Sequence, residues 1–147
     1  MKEEIYSVAN AMEQYRYASA AVHVFWNYFQ VVSVGAAGFV WTRKRTDVIT
    51  GALAWAIGLL YIAFAIASNY AVYAAQLELV VAASSIKEFS KNSSEVRGEL
   101  IDLINALKPF DATTVRIWHG ALSGTTLIAI MATHPRVLAW MRLLFRR

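Results

Sequence analysis

Apolar positions in this chain gather into long blocks, with polar residues placed between them or in sparse stripes within them. Residues 20–41, 48–68 and 115–133 contain no Asp, Glu, Lys or Arg, except Arg116 at the edge of the last block. A helix needs roughly 20 mostly apolar residues to cross a bilayer, so the pattern predicts three transmembrane helices. The first two are prolonged beyond the apolar block. Ile5, Val8, Met12 and Tyr15 recur at helical spacing and lead into Val22, Trp26 and Phe29, with no Gly or Pro from Lys2 to Val34. The second block runs on through NYAVYAAQLELVVAASSIKEFSK to about residue 90. At ~1.5 Å per residue such a helix would be about twice as long as the ~30 Å hydrocarbon core is thick. The two overhangs are expected to pair as a helical-hairpin stalk.

A further amphipathic helix is expected over residues 94–108. It would place Val96, Leu100, Leu103 and Leu107 on one face, with Asn92 and Glu95 as a capping box and Pro109 at the end. Together with an amphipathic helix over residues 1–19 it forms a small headpiece. The fold class is therefore all-α: an integral membrane helical protein with three transmembrane helices, a stalk and a headpiece. All 147 residues belong to one membrane domain, closed by an interfacial tail at residues 136–147.

Composition and charge refine this picture. The chain is 58% hydrophobic and only 16% charged, outside the range of ordinary soluble domains. Its net charge of +4 is too small and too dispersed to suggest nucleic acid as a partner. With no cysteine, disulfides, thiolate metal sites and cysteine nucleophiles are excluded. The start MKEEIYSVANAMEQYRY is acidic and amphipathic, unlike the basic start of a signal peptide. The loop TRKRTD and the tail hold Arg43, Lys44, Arg45, Arg136, Arg142, Arg146 and Arg147 against a single acid, Asp47. The positive-inside rule then gives an N-out/C-in topology, expected in a bacterial inner membrane. Trp26, Tyr28, Tyr70, Tyr73 and Trp118 would lie near the outer interface, and Trp41 and Trp140 near the inner one. Arg136, Arg142, Arg146 and Arg147 are the candidate contacts to lipid headgroups.

Two polar stripes carry the candidate chemistry. His23, Asn27 and Gln30 interrupt the first span at i, i+4 and i+7, and His119, Ser123 and Thr126 repeat that spacing in the third. Asn69 lies near the same end of the second span. Polar side chains are costly against lipid, so the stripes are expected to turn inward and hydrogen-bond between helices. Other readings of the same residues are a wetted pore lining or a haem or quinone held between His23 and His119. Gly120 and Gly124, with Ala54 and Gly58, are small-residue pairs suited to close helix packing. No nucleophile, phosphate loop or metal-ligand spacing is present, and no catalytic role is expected.

The layout of residues 13–90, with YRYASA and SNYAVYAAQLE, resembles SLATT-type two-span effectors of bacterial conflict systems. The third span and the basic loop depart from that family. The three-span N-out/C-in plan with a basic tail is similar to phage holins. These likenesses imply a self-assembling pore as one alternative. The residues themselves favour a non-enzymatic accessory or scaffolding subunit, a homo-oligomer or part of a larger membrane complex. A haem- or quinone-binding anchor is the remaining alternative.

Overall fold

The computed structural model describes residues 8–42, 48–92 and 98–134, together with 137, 139 and 143; side chains at 48–50 and 92 are outside the description. These residues form four helices and no strand: α1 (Val8–Trp41), α2 (Val48–Asn92), α3 (Glu99–Ala106) and α4 (Ala112–Met131). The expected continuation of the first two blocks as single helices is seen directly, α1 having 34 residues and α2 having 45. The start of the first helix (residues 1–7), the basic loop TRKRTD from Arg43 on, Glu95, Val96 and the tail arginines lie outside the described residues.

The chain divides into two compact units. The first comprises Met1–Phe25 and Ala71–Arg116, the second Trp26–Tyr70 and Ile117–Arg147.

In the first unit α1 and α2 run antiparallel, and Ala11, Ile86 and Ile104 form a fully buried cluster under Val8, Met12, Tyr15, Phe89 and Leu107. Along α2 the buried line in this unit is Val72, Ala75, Leu79, Ala82 and Ile86. The third helix is shorter than the sequence suggested. It starts at Glu99 after Gly98, whose φ of 58° suits a residue without a Cβ, and no side chain caps it. Asn92 ends α2, and the side chains of the expected capping box, Asn92 and Glu95, lie outside the described residues. The buried face of α3 also differs: Ile104 is inside, whereas Leu100 and Leu103 are exposed. Leu107 leaves the helix in an extended conformation, two residues before Pro109.

The second unit is packed by a different rule. The inward line of α2 is Ala54, Gly58, Tyr61, Ala65 and Ser68, small residues at alternating spacings of four and three with one large one. The cluster Val40, Ala54, Tyr61 and Ile130 joins α1, α2 and α4. Gly58 is a close-approach point: a Cβ there would stand 3.2 Å from Met131 Sδ and 3.8 Å from Leu127 Cδ1. Gly120 and Gly124 are not. Both are exposed, with nothing within 4 Å of a Cβ, so the GxxxG pair takes no part in packing within the chain.

Among the described residues, one helix is long and apolar enough to cross a membrane: α2 over Gly51–Lys91. Its most apolar stretch is only 22% buried, unlike the core helix of a soluble protein. In α1 and α4 the side chains of His23, Asn27, Gln30, Arg116 and His119 lower the mean hydropathy of otherwise apolar segments.

Candidate functional site: a buried polar seam around His119

Every described Asp, Glu, Lys and Arg belongs to the first unit, and the described part of the second has none. Yet the second unit buries polar groups and exposes large apolar ones. Ser33, His119 and Thr133 are buried, while Val31, Val34, Leu59, Leu60, Ile66, Ile117, Trp118 and Ile128 are exposed.

His119 lies at the centre of this seam and is completely buried. On α2, Ser68 Oγ is 3.1 Å from His119 Nε2 and Asn69 Nδ2 is 3.4 Å from Nδ1. Ser123, one turn along α4, donates its hydroxyl proton to the His119 carbonyl at 2.8 Å and also lies 3.4 Å from Nδ1. The Asn69 amide nitrogen is a donor, so Nδ1 accepts from it and the proton of a neutral imidazole sits on Nε2, directed at Ser68 Oγ. Aromatic rings from α1 complete the enclosure. The Phe29 ring is 4.0 Å from the imidazole centroid to centroid, and that of Trp26 is 5.4 Å away. The seam continues through a buried hydrogen bond of 2.8 Å between Ser33 Oγ of α1 and Tyr61 Oη of α2. Trp41 Nε1 donates to the Ala129 carbonyl of α4 at 3.1 Å. No described side-chain donor or acceptor is buried without a partner.

The two sequence stripes therefore fare differently. His119 and Ser123 face inward and meet Asn69, as expected. Thr126 is half-buried and its hydroxyl donates to Leu122 O of its own helix. His23, Asn27 and Gln30 are all exposed. The inward face of α1 is instead Val22, Phe29, Ser33 and Val40, with Ala11 and Ala18 before them. The stripe of α1 thus does not join that of α4. His23 belongs to the first unit, where it lines a cavity of about 380 Å³ with Tyr15, Ser19 and Gln76. Both ring nitrogens of His119 already carry hydrogen bonds, so the geometry lends no support to ligation of a haem or quinone by the pair. No group of three or more potential metal ligands gathers among the described residues.

The sequence reading missed several residues that organise these units. Ser68 was overlooked beside Asn69. Gln76, 4% exposed, donates from Nε2 to the Phe110 carbonyl at 2.7 Å and ties down the segment entering α4. Asp111 caps α4, its Oδ2 accepting from the Thr114 backbone N–H at 3.0 Å. The Asp-Ala-Thr-Thr start was a legible cap signal. Arg116 belongs to the first unit, its guanidinium carbon 5.2 Å from the centre of the Tyr73 ring.

No family model, curated protein or solved structure matches the chain.

Proposed function

We propose that this protein is a non-enzymatic, membrane-embedded helical subunit that works by helix–helix assembly, either with itself or within a larger membrane complex. The observation that carries this reading is the inverted second unit. Its interior is hydrogen-bonded and its exterior is mostly apolar, and uncharged over all described residues. In water that exterior would be a severe aggregation hazard. In hydrocarbon it costs nothing, while polar side chains turn inward to find partners.

In this reading the segments 20–41, 48–68 and 115–133 cross the bilayer. Residues 1–19 and 70–114 fall on its outer side, and the basic loop and tail on its inner side. The charge-free described part of the second unit is bounded in sequence by those two basic segments, as a bilayer-embedded unit requires.

The test is membrane fractionation with alkaline carbonate, followed by labelling of single cysteines. The full chain should stay in the pellet. Asn10→Cys should react with an impermeant maleimide in intact spheroplasts, and Thr42→Cys only after lysis. A carbonate-soluble chain would overturn the membrane reading, and the reverse labelling pattern would invert the topology. Reconstituted liposomes that stay tight to a small dye support a scaffold, whereas dye release by the protein alone supports a pore.

A further inference from the structure

Among the described residues of the second unit, most Ser, Thr, Asn and Gln side chains are hydrogen-bonded. Ser33, Thr42, Ser68, Asn69, Ser123, Thr125, Thr126 and Thr133 each make a hydrogen bond. Among the Ser, Thr, Asn and Gln residues whose side chains are described in that unit, only Asn27 and Gln30 make none, and both are exposed on α1. The outward faces of α2 and α4 differ in kind. They expose Leu59, Leu60 and Ile66 on one helix and Ile117, Trp118 and Leu122 on the other.

Asn27 lies on the opposite side of α1 from the packed face of Val22, Phe29, Ser33 and Val40. Its own face continues through Val31, Val34 and Gly38, at alternating spacings of four and three residues. Val31 and Val34 are 71% and 73% exposed, and a Cβ added at Gly38 meets nothing within 4 Å. This is the spacing of a coiled-coil seam that has no occupant within the chain.

We infer that this face of α1 binds the same face of a second copy, in parallel and in register. The inference rests on the membrane reading, because only in hydrocarbon do two unpaired carboxamides demand a protein partner. The choice of a second copy follows from the chemistry. A carboxamide holds both a donor and an acceptor, so Asn27 is complementary to Asn27 of another copy across a two-fold axis along the membrane normal. A copy related in this way presents its Asn27 and Gln30 at the same depth. A single Asn in a seam of this kind is also a device that fixes register in parallel helix pairs. Gly38, two to three turns further along, lets the two backbones approach closely.

The natural chain has no cysteine, so single substitutions give clean disulfide reporters. Val31→Cys, Val34→Cys and Gly38→Cys would be oxidised with copper phenanthroline in native membranes, with Leu59→Cys and Leu122→Cys as reporters on other helices. Cross-linked dimer is expected at the three α1 positions at about ten-fold the level of the other two. Adding Asn27→Leu and Gln30→Leu to the Val34→Cys chain should lower it about ten-fold, a loss of ~1.4 kcal/mol shared among the bonds removed. Asn27→Gln should restore part of it. These substitutions lie on an exposed face, and the circular dichroism spectrum in detergent should not change. Carbonate extraction of the same membranes separates the two possible failures. A chain that resists extraction yet shows no dimer, or equal dimer at all five positions, overturns this inference alone. A chain that extracts with carbonate overturns the membrane reading and this inference with it.

Discussion

Replacing His119 separates its hydrogen bonding from its packing. His119→Phe keeps a ring against Phe29 and Trp26 but removes the contacts to Ser68 and Asn69. Interhelical hydrogen bonds within a bilayer contribute ~0.6 kcal/mol each on average and ~1.7 kcal/mol at most. Two such bonds give an expected loss of about 1–2 kcal/mol, roughly a ten-fold change in the unfolding equilibrium constant. The value should fall in the upper half of that range if the Asn69 amide loses a partner without gaining one. Ser68 is less affected, because a serine in a helix can turn its hydroxyl to its own backbone, as Ser123 does. His119→Ala removes the ring as well and leaves a cavity at a fully buried site, for a total of about 3–4 kcal/mol. The assay is reversible unfolding in mixed micelles with a rising fraction of sodium dodecyl sulfate, followed by far-ultraviolet circular dichroism. A double-mutant cycle with Asn69→Leu should return a coupling of about 0.5–1 kcal/mol. If His119→Phe is as stable as the parent and the coupling is zero, the seam is not what holds these helices together.

Other perturbations have distinct expected outcomes in the same unfolding assay. Tyr61→Phe and Ser33→Ala should each cost about 0.5–1.5 kcal/mol, and the double variant little more than either, because they share one bond. Gly58→Leu should destabilise by ~1–3 kcal/mol through collision with Met131, whereas Gly124→Leu should leave stability within ~0.5 kcal/mol. Asp111→Ala removes the cap of α4 and should cost about 1 kcal/mol. Gln76→Leu leaves the Phe110 carbonyl without its donor, and amide hydrogen exchange over residues 107–114 should accelerate before the rest of the first unit responds.

Helix existence and length were legible because nothing in 8–41 or 48–92 contradicts a helix, and apolar residues recur at helical spacing throughout. The inward face of α4 was legible too, since His119 and Ser123 are the residues least suited to lipid. The same reasoning failed for α1. It assigned the face by polarity alone, but the packed side of α1 is made of Ala11, Ala18, Val22, Phe29, Ser33 and Val40. Ala11, Val22 and Ser33 recur every eleven residues, as do Ala18, Phe29 and Val40. That repeat is visible in the sequence once sought, because eleven residues return to nearly the same side of a helix after about three turns. The GxxxG pair misled for a related reason: small residues permit close approach but do not attract a neighbour. The start of α3 at Glu99 follows Gly98, whose positive φ the spacing of apolar residues does not announce.

Three consecutive polar positions of α4 spend their hydroxyl protons on their own helix: Ser123 on His119, Thr125 on Ala121 and Thr126 on Leu122. With their protons so placed, these residues show their surroundings little more than methyl and methylene groups, so the helix is less polar than its composition. His119 is different, because no turn of its own backbone can satisfy an imidazole. Its partners, Ser68 and Asn69, are synthesised some fifty residues earlier, on the helix best able to enter a membrane unaided. If the chain is membrane-embedded as proposed, α4 enters the bilayer after α2, and its histidine meets partners already in place.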